Sequence, residues 1–134
     1  MNRRVFTYAL SDYKSFRVKF YHWAAQEEHI CILDSNQYNK TGNISYHDYE
    51  LLAGVGILDV IPMETEPFDQ LEKLHAKHKD WLFGYLSYDL KNKIEKLSSK
   101  NQAKIEFDDI MFFQPELVFI IRDMNHLEVQ YPDF

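Results

Sequence analysis

Gly54-Val55-Gly56 is the first place in the chain where residue types suggest chemistry, because a Gly-x-Gly turn opens the phosphate cradle of dinucleotide sites. The third glycine of that fingerprint falls on Asp59, a negative charge where a pyrophosphate would approach. No Lys-Ser or Lys-Thr pair follows to make a P-loop. The glycines therefore read as small strand residues against which another backbone packs closely. His75 and His78 stand three apart on a helical segment, without the four-residue spacing and intervening glutamate of a zinc-protease helix, and Lys77 and Lys79 repel a cation. His78 fits better as a half-buried residue on an apolar stripe, and His47, Asp48 and Glu50 fit a solvated loop. Ser35 lacks a Gly-x-Ser-x-Gly elbow, and Cys31 lies in the apolar run Ile30-Cys31-Ile32-Leu33, where a buried thiol ionises poorly. Lys93, Lys96, Lys100 and Lys104, interrupted by Glu95, read as a solvated face rather than an anion or RNA site. No catalytic residue, cofactor site or metal site is expected from these groups.

The elements that would position such residues follow from hydrophobic periodicity. Val5 to Leu10 is β-branched and aromatic enough for a first strand, and Ser11 offers a side-chain cap to the next helix. Tyr13, Phe16, Phe20 and Trp23 recur at helical spacing and predict one core-facing stripe. His29 to Ser35 predicts a strand buried on both faces, and Asn36 to Asn43 a loop. Tyr49 to Pro62 reads as one long or bulged strand, because Gly54 and Gly56 oppose helix. Pro67 at a first helical turn, with Phe68, Leu71, Leu74 and His78, predicts a second amphipathic helix. Trp81 to Tyr88 predicts a strand, and Lys91 to Lys104 a short polar helix and loop. Leu117 to Ile121, a turn at Asp123 to His126, and the alternation of Leu127, Val129 and Tyr131 predict a terminal hairpin. The class is α+β, with about six largely antiparallel strands, two amphipathic helices and a short third one.

At 134 residues and 16.1 kDa the chain has room for one domain, 1–134, and one core is expected. With 15 Lys and Arg against 21 Asp and Glu, the net charge of −6 repels phosphate backbones and anionic membranes, so neither nucleic acid nor membrane is an expected partner. The single cysteine suits a reducing compartment and points to the cytoplasm. No apolar stretch approaches the roughly 20 residues that cross a bilayer.

Two segments stand out. Trp81-Leu82-Phe83-Gly84-Tyr85-Leu86-Ser87-Tyr88-Asp89-Leu90, followed by Ile94-Glu95-Lys96-Leu97, resembles the Gly-Tyr-x-x-Tyr-Asp-Leu…Glu segment in the N-terminal domain of chorismate-utilising enzymes, component I of anthranilate synthase and of aminodeoxychorismate (para-aminobenzoate) synthase. Ile32-Leu33-Asp34-Ser35 resembles the Leu-Leu-Glu-Ser motif of the same family, in the same order and at a similar separation. Phe112-Phe113-Gln114-Pro115-Glu116 looks like the para-aminobenzoate branch. The resemblance covers nearly the whole chain.

The resemblance implies a non-catalytic N-terminal domain whose catalytic C-terminal domain, with chorismate and Mg²⁺, lies outside this chain. The parent would join chorismate to ammonia, supplied from glutamine by an amidotransferase subunit, on the route to folate. It further implies a tryptophan-like pocket to which Leu33, Asp34, Ser35, Tyr46 and Tyr49 contribute. There a carboxylate and a hydroxyl would bind an amino-acid ammonium and aromatic faces an indole. Asp34 is one methylene shorter than the family's glutamate, and Asp48 stands where some relatives have arginine. The alternatives are the corresponding domain of anthranilate synthase with a regulatory tryptophan site, a free-standing amino-acid sensor, and a structural interaction domain. A surface uncovered by the missing domain would favour two-fold self-association.

Overall fold

The computed structural model describes residues 1–38, 48–62, 66–91 and 108–134. Among them are strands β1 (Arg3–Ala9), β2 (Ile30–Asp34), β3 (Leu51–Val55), β4 (Asp59–Val60), β5 (Phe83–Leu86), β6 (Ile110–Gln114), β7 (Leu117–Ile121) and β8 (His126–Pro132), with helices α1 (Tyr13–Ala24) and α2 (Pro67–His78). The α+β class holds, and all strand pairs are antiparallel. The chain divides into two compact units, Met1–Leu58 with Pro115–Phe134, and Asp59–Gln114. Among the described residues each unit holds a packed apolar set.

The first unit carries a five-stranded sheet in the order β1-β8-β7-β3-β2. Its register places Ile32, Ala53, Phe119, Val129 and Phe6 in one row across the same face. α1 packs on this face. Tyr13, Phe20 and Ala24 are buried against Leu51, Ala53, Ile121 and Leu127, with Phe16 partly buried beside them. Trp23, expected in the core stripe, stands at its rim, 39% exposed, with its ring edge against Phe119 at 5.4 Å. The helix is capped by Asp12, not Ser11: the Asp12 carboxylate accepts from the Ser15 N–H at 3.0 Å.

The expectation of a β2 buried on both faces is corrected. Among the described residues β2 ends the sheet with one neighbour, so its residues are half-buried except Leu33, which is 57% exposed. Cys31 is likewise half-buried. The doubly buried strand is β3, in the middle of the ladder. The single strand expected over Tyr49 to Pro62 is two strands in two sheets, β3 and β4, parted after Gly56 at φ +73°. A side chain at Gly56 would also crowd Glu116.

The second unit has the sheet order β4-β6-β5, with α2 contributing Leu74 to a packed set with Ile61 and Ile110. Pro67 opens α2 as expected. The strand at Trp81 to Tyr88 contracts to β5, and Tyr88–Leu90 forms a 3₁₀ turn that buries Leu90. No strand was expected over Ile110–Gln114, where β6 lies; this and the division into β3 and β4 make eight strands among the described residues where about six were expected. The polar helix expected over Lys91 to Lys104, including the Lys93, Lys96, Lys100 and Lys104 stripe, lies outside the described residues beyond Lys91. The terminal hairpin is as expected: Asp123 Oδ1 accepts from the Asn125 and His126 N–H groups to close the turn between β7 and β8.

Candidate functional site

The segment Ile32-Leu33-Asp34-Ser35 ends β2 beside β3, and the ladder runs one pair past the strand because the Ser35 N–H donates to the Glu50 carbonyl at 2.9 Å. Alternation along a strand sends neighbouring side chains to opposite faces. Asp34 therefore points to the α1 face and Leu33 to the other. Arg17 and Tyr21, one turn apart on α1, meet Asp34 there: Arg17 Nε and the Tyr21 hydroxyl donate to Oδ2 at 2.6 and 2.7 Å. The Arg17 guanidinium also lies over the Tyr21 ring at 5.4 Å. The other carboxylate oxygen accepts from the Asn36 N–H at 2.7 Å. Burial works against the Asp34 charge, but Tyr21, Asn36 and Arg17 together outweigh it and hold the carboxyl below its ordinary range.

The turn after Ser35 is held by acids on both sides. Asn36 and Gln37 both adopt left-handed backbone, at φ 49° and 59°, a conformation that costs free energy for residues other than glycine. Asp34 accepts from the N–H of the first, and buried Glu50 accepts from the N–H of the second at 2.8 Å. The Ser35 hydroxyl donates to the Tyr49 carbonyl at 2.8 Å. The Tyr49 ring lies under the Arg122 guanidinium at 5.4 Å, and Arg122 in turn bonds Glu128 at 3.0 Å. Buried Tyr13, on the first turn of α1, has a hydroxyl with no hydrogen-bond partner among the described residues. Burial first, and then the charges of Asp34 and Glu50, push its pKa up to about 12.

Of the residues singled out in the sequence, the structure thus brings together Asp34, Ser35 and the backbone of Tyr49, and sets Leu33 on the opposite face. Tyr46 lies outside the described residues. The sequence reading missed Arg17 and Tyr21, took Tyr13 only as a core residue, and gave Glu50 to a solvated loop, whereas it is buried where it accepts from Gln37. The i, i+4 spacing of Arg17 and Tyr21 was a legible signal, since it puts a cation and a phenol on one stripe facing whatever packs there. Chemically the cluster around Asp34 is an array of paired donors and acceptors, with the Tyr13 hydroxyl as the exception among the described residues. Asp34 already serves Arg17, Tyr21 and Asn36, so a ligand ammonium would have to share it. Ser35 keeps acceptor capacity after donating to Tyr49.

The remaining motifs fall elsewhere. His78 Nε2 and Lys77 Nζ each lie 2.7 Å from Asp59 Oδ2, so the residue that interrupts the Gly-x-Gly pattern anchors α2 to β4. His75 is exposed. Among the described residues no group of three or more His, Cys, Asp and Glu side chains could hold a metal ion, and no helix is long and apolar enough to cross a membrane. A cleft of about 380 Å³, bordered by Arg4, Glu116, Tyr131 and Phe134, opens at the end of the five-stranded sheet remote from Asp34.

The chain matches no family model, no curated protein and no solved structure.

Proposed function

We propose that this chain is the non-catalytic N-terminal domain of component I of aminodeoxychorismate (para-aminobenzoate) synthase, a chorismate-utilising enzyme. Its parent would convert chorismate and glutamine-derived ammonia to aminodeoxychorismate for folate synthesis. The observation that carries the reading is the Gly-Tyr-x-x-Tyr-Asp-Leu segment. An added Cβ at Gly84 would lie 1.9 Å from the Met111 carbonyl oxygen and 2.7 Å from Phe112 Cα, so close backbone packing demands this glycine. Leu90, at the segment's end, is buried in the 3₁₀ turn that follows. Gly84 and Leu90 are thus set by packing, while Tyr85, Tyr88 and Asp89 of the same motif are exposed. The Phe112 to Glu116 stretch supports the para-aminobenzoate branch over the anthranilate branch, and within it Gln114 is buried and bonded to Asp80 at 2.7 Å.

In this reading the chain works with a chorismate-binding C-terminal domain that carries Mg²⁺, and with a glutamine amidotransferase subunit. A tryptophan-like ligand would be met at Leu33, Asp34, Ser35, Tyr46 and Tyr49. Because Asp34 is already bonded to three donors, tryptophan should bind the chain alone weakly. The single cysteine, Cys31, supports a cytoplasmic location. Sequencing the gene beyond codon 134 tests the reading: it expects the frame to continue into a chorismate-binding domain. A stop codon there, together with micromolar tryptophan binding abolished by Ser35→Ala, would replace it with an amino-acid sensor.

A further inference from the structure

The two edges of the five-stranded sheet are built differently. β2 is five residues long, ends in the Asp34–Arg17 ion pair and runs straight into a left-handed turn. β1 is seven residues long and, from Arg4 to Ala9, exposed at every position. Natural edge strands are blunted by Lys, Pro, bulges or inward charges. Val5-Phe6-Thr7-Tyr8-Ala9 has none of these, and Val5, Phe6 and Tyr8 are 53%, 43% and 54% exposed.

The phase of the β1–β8 ladder fixes which backbone groups face outward. Leu10 donates to the Asn125 carbonyl and Asp133 to the Asn2 carbonyl, so the even-numbered residues of β1 bond inward to β8. The N–H and C=O groups of Val5, Thr7 and Ala9 then point to the edge beyond which, among the described residues, no strand lies.

We propose that β1 pairs antiparallel with β1 of a second copy of this chain, on a two-fold axis at Phe6. Only registers that set odd residues opposite odd residues let the outward groups bond. Of these, the one centred on Phe6 alone pairs all seven residues, with Val5 opposite Thr7 of the partner subunit and Arg4 opposite Tyr8 of the partner subunit. Charge favours the same arrangement. The strand begins with Arg3 and Arg4, so an antiparallel pair sets the two cationic starts at opposite ends, with each Arg4 still bonded to Asp133 at 2.6 Å, whereas a parallel pair would stack arginines. Each Arg4 then meets a tyrosine face. Phe6 already stacks on Tyr131 at 5.4 Å and 11°, so the axis continues an aromatic row from one copy into the other.

Seven paired residues cover less than the roughly 800 Å² per partner of a standard stable complex, so the dissociation constant should be on the order of 100 µM. This inference is independent of the chorismate reading.

Sedimentation of the chain from about 10 µM to 1 mM tests it, with amide hydrogen exchange at both ends of the range. The mass should rise from 16.1 kDa toward twice that value. The amides of Val5, Thr7 and Ala9 should gain protection with concentration while those of Phe6 and Tyr8 stay unchanged. Thr7→Pro removes one outward donor and Val5→Lys adds an edge charge; each should weaken the dimer at least tenfold, and the second reads the edge even if the first does not fold. A chain that stays at 16.1 kDa, a dimer indifferent to Val5→Lys, or growth beyond a dimer would overturn the proposal.

Discussion

Asp34 in the first unit and Asp59 in the second perform the same structural task with different partners. Each sits at a strand beside a helix, and each accepts from two side chains of that helix and one backbone N–H. Asp34 is met by a guanidinium and a phenol in a half-buried setting, where its own side chain is 11% exposed and that of Arg17 35%. Asp59 is met by Lys77, 66% exposed, and by His78. Hydrogen bonds from Lys77 and His78 take the Asp59 carboxyl down to about 2, whereas at Asp34 burial opposes the donors and the net lowering is what remains. Hydrogen bonds to a carboxylate thus lower its pKa further where burial opposes them less, but the less exposed knot resists salt better and loses more when broken.

The strongest way to separate the two units is Gly84→Ala. With backbone 1.9 Å from the new methyl, β5 and β6 cannot keep their register, and the second unit should lose about 3 kcal/mol or more. Hydrogen exchange checks it: amides of 83–86 and 110–114 should lose protection while those of β3 and β7 change less. Next in size, Asp34→Asn should cost about 1–3 kcal/mol, because Arg17 loses its counter-charge in a half-buried place and one acceptor oxygen is left where three donors meet. Thermal denaturation reads the loss, which 1 M NaCl should leave nearly unchanged.

Asp59→Asn should cost less, about 1 kcal/mol at low salt, and that cost should shrink in 1 M NaCl. The acid response has the matching sign. A carboxyl with a pKa of about 2 when folded and an ordinary value of 3.8 stabilises the fold fully above the ordinary value, and that contribution is lost as the pH falls from about 4 toward 2. Asp59→Asn should remove that part of the acid dependence in a pH titration of stability. The smallest effect belongs to Lys77→Ala. At 66% exposure its loss should shift stability by a few tenths of a kcal/mol, leaving His78 to hold Asp59.

What could be read from the sequence was what depends on neighbours along the chain. The α1 stripe, Pro67 opening α2 and the β7–β8 hairpin each follow from local spacing. Tyr49 to Pro62 read as one long or bulged strand because apolar continuity carries no mark of a change of sheet; the break depends on a positive φ at Gly56. β2 read as a central strand because an apolar run does not reveal how many neighbours it will have. At the candidate site Asp34 and Ser35 were legible, but the partners that decide what Asp34 can do, Arg17 and Tyr21, come from another element, and their meeting with it is set by how α1 packs.

The central claim, that this chain is the non-catalytic half of a chorismate-utilising enzyme, is tested most directly by incubating it with chorismate, Mg²⁺ and ammonium. The assay is run alone and then with a separately produced aminodeoxychorismate synthase catalytic domain that lacks its own N-terminal part. The account predicts no aminodeoxychorismate or anthranilate above a no-protein blank from the chain alone, and formation of aminodeoxychorismate when the two are combined. Product made by the chain alone, or no gain in turnover on combining them, would contradict it.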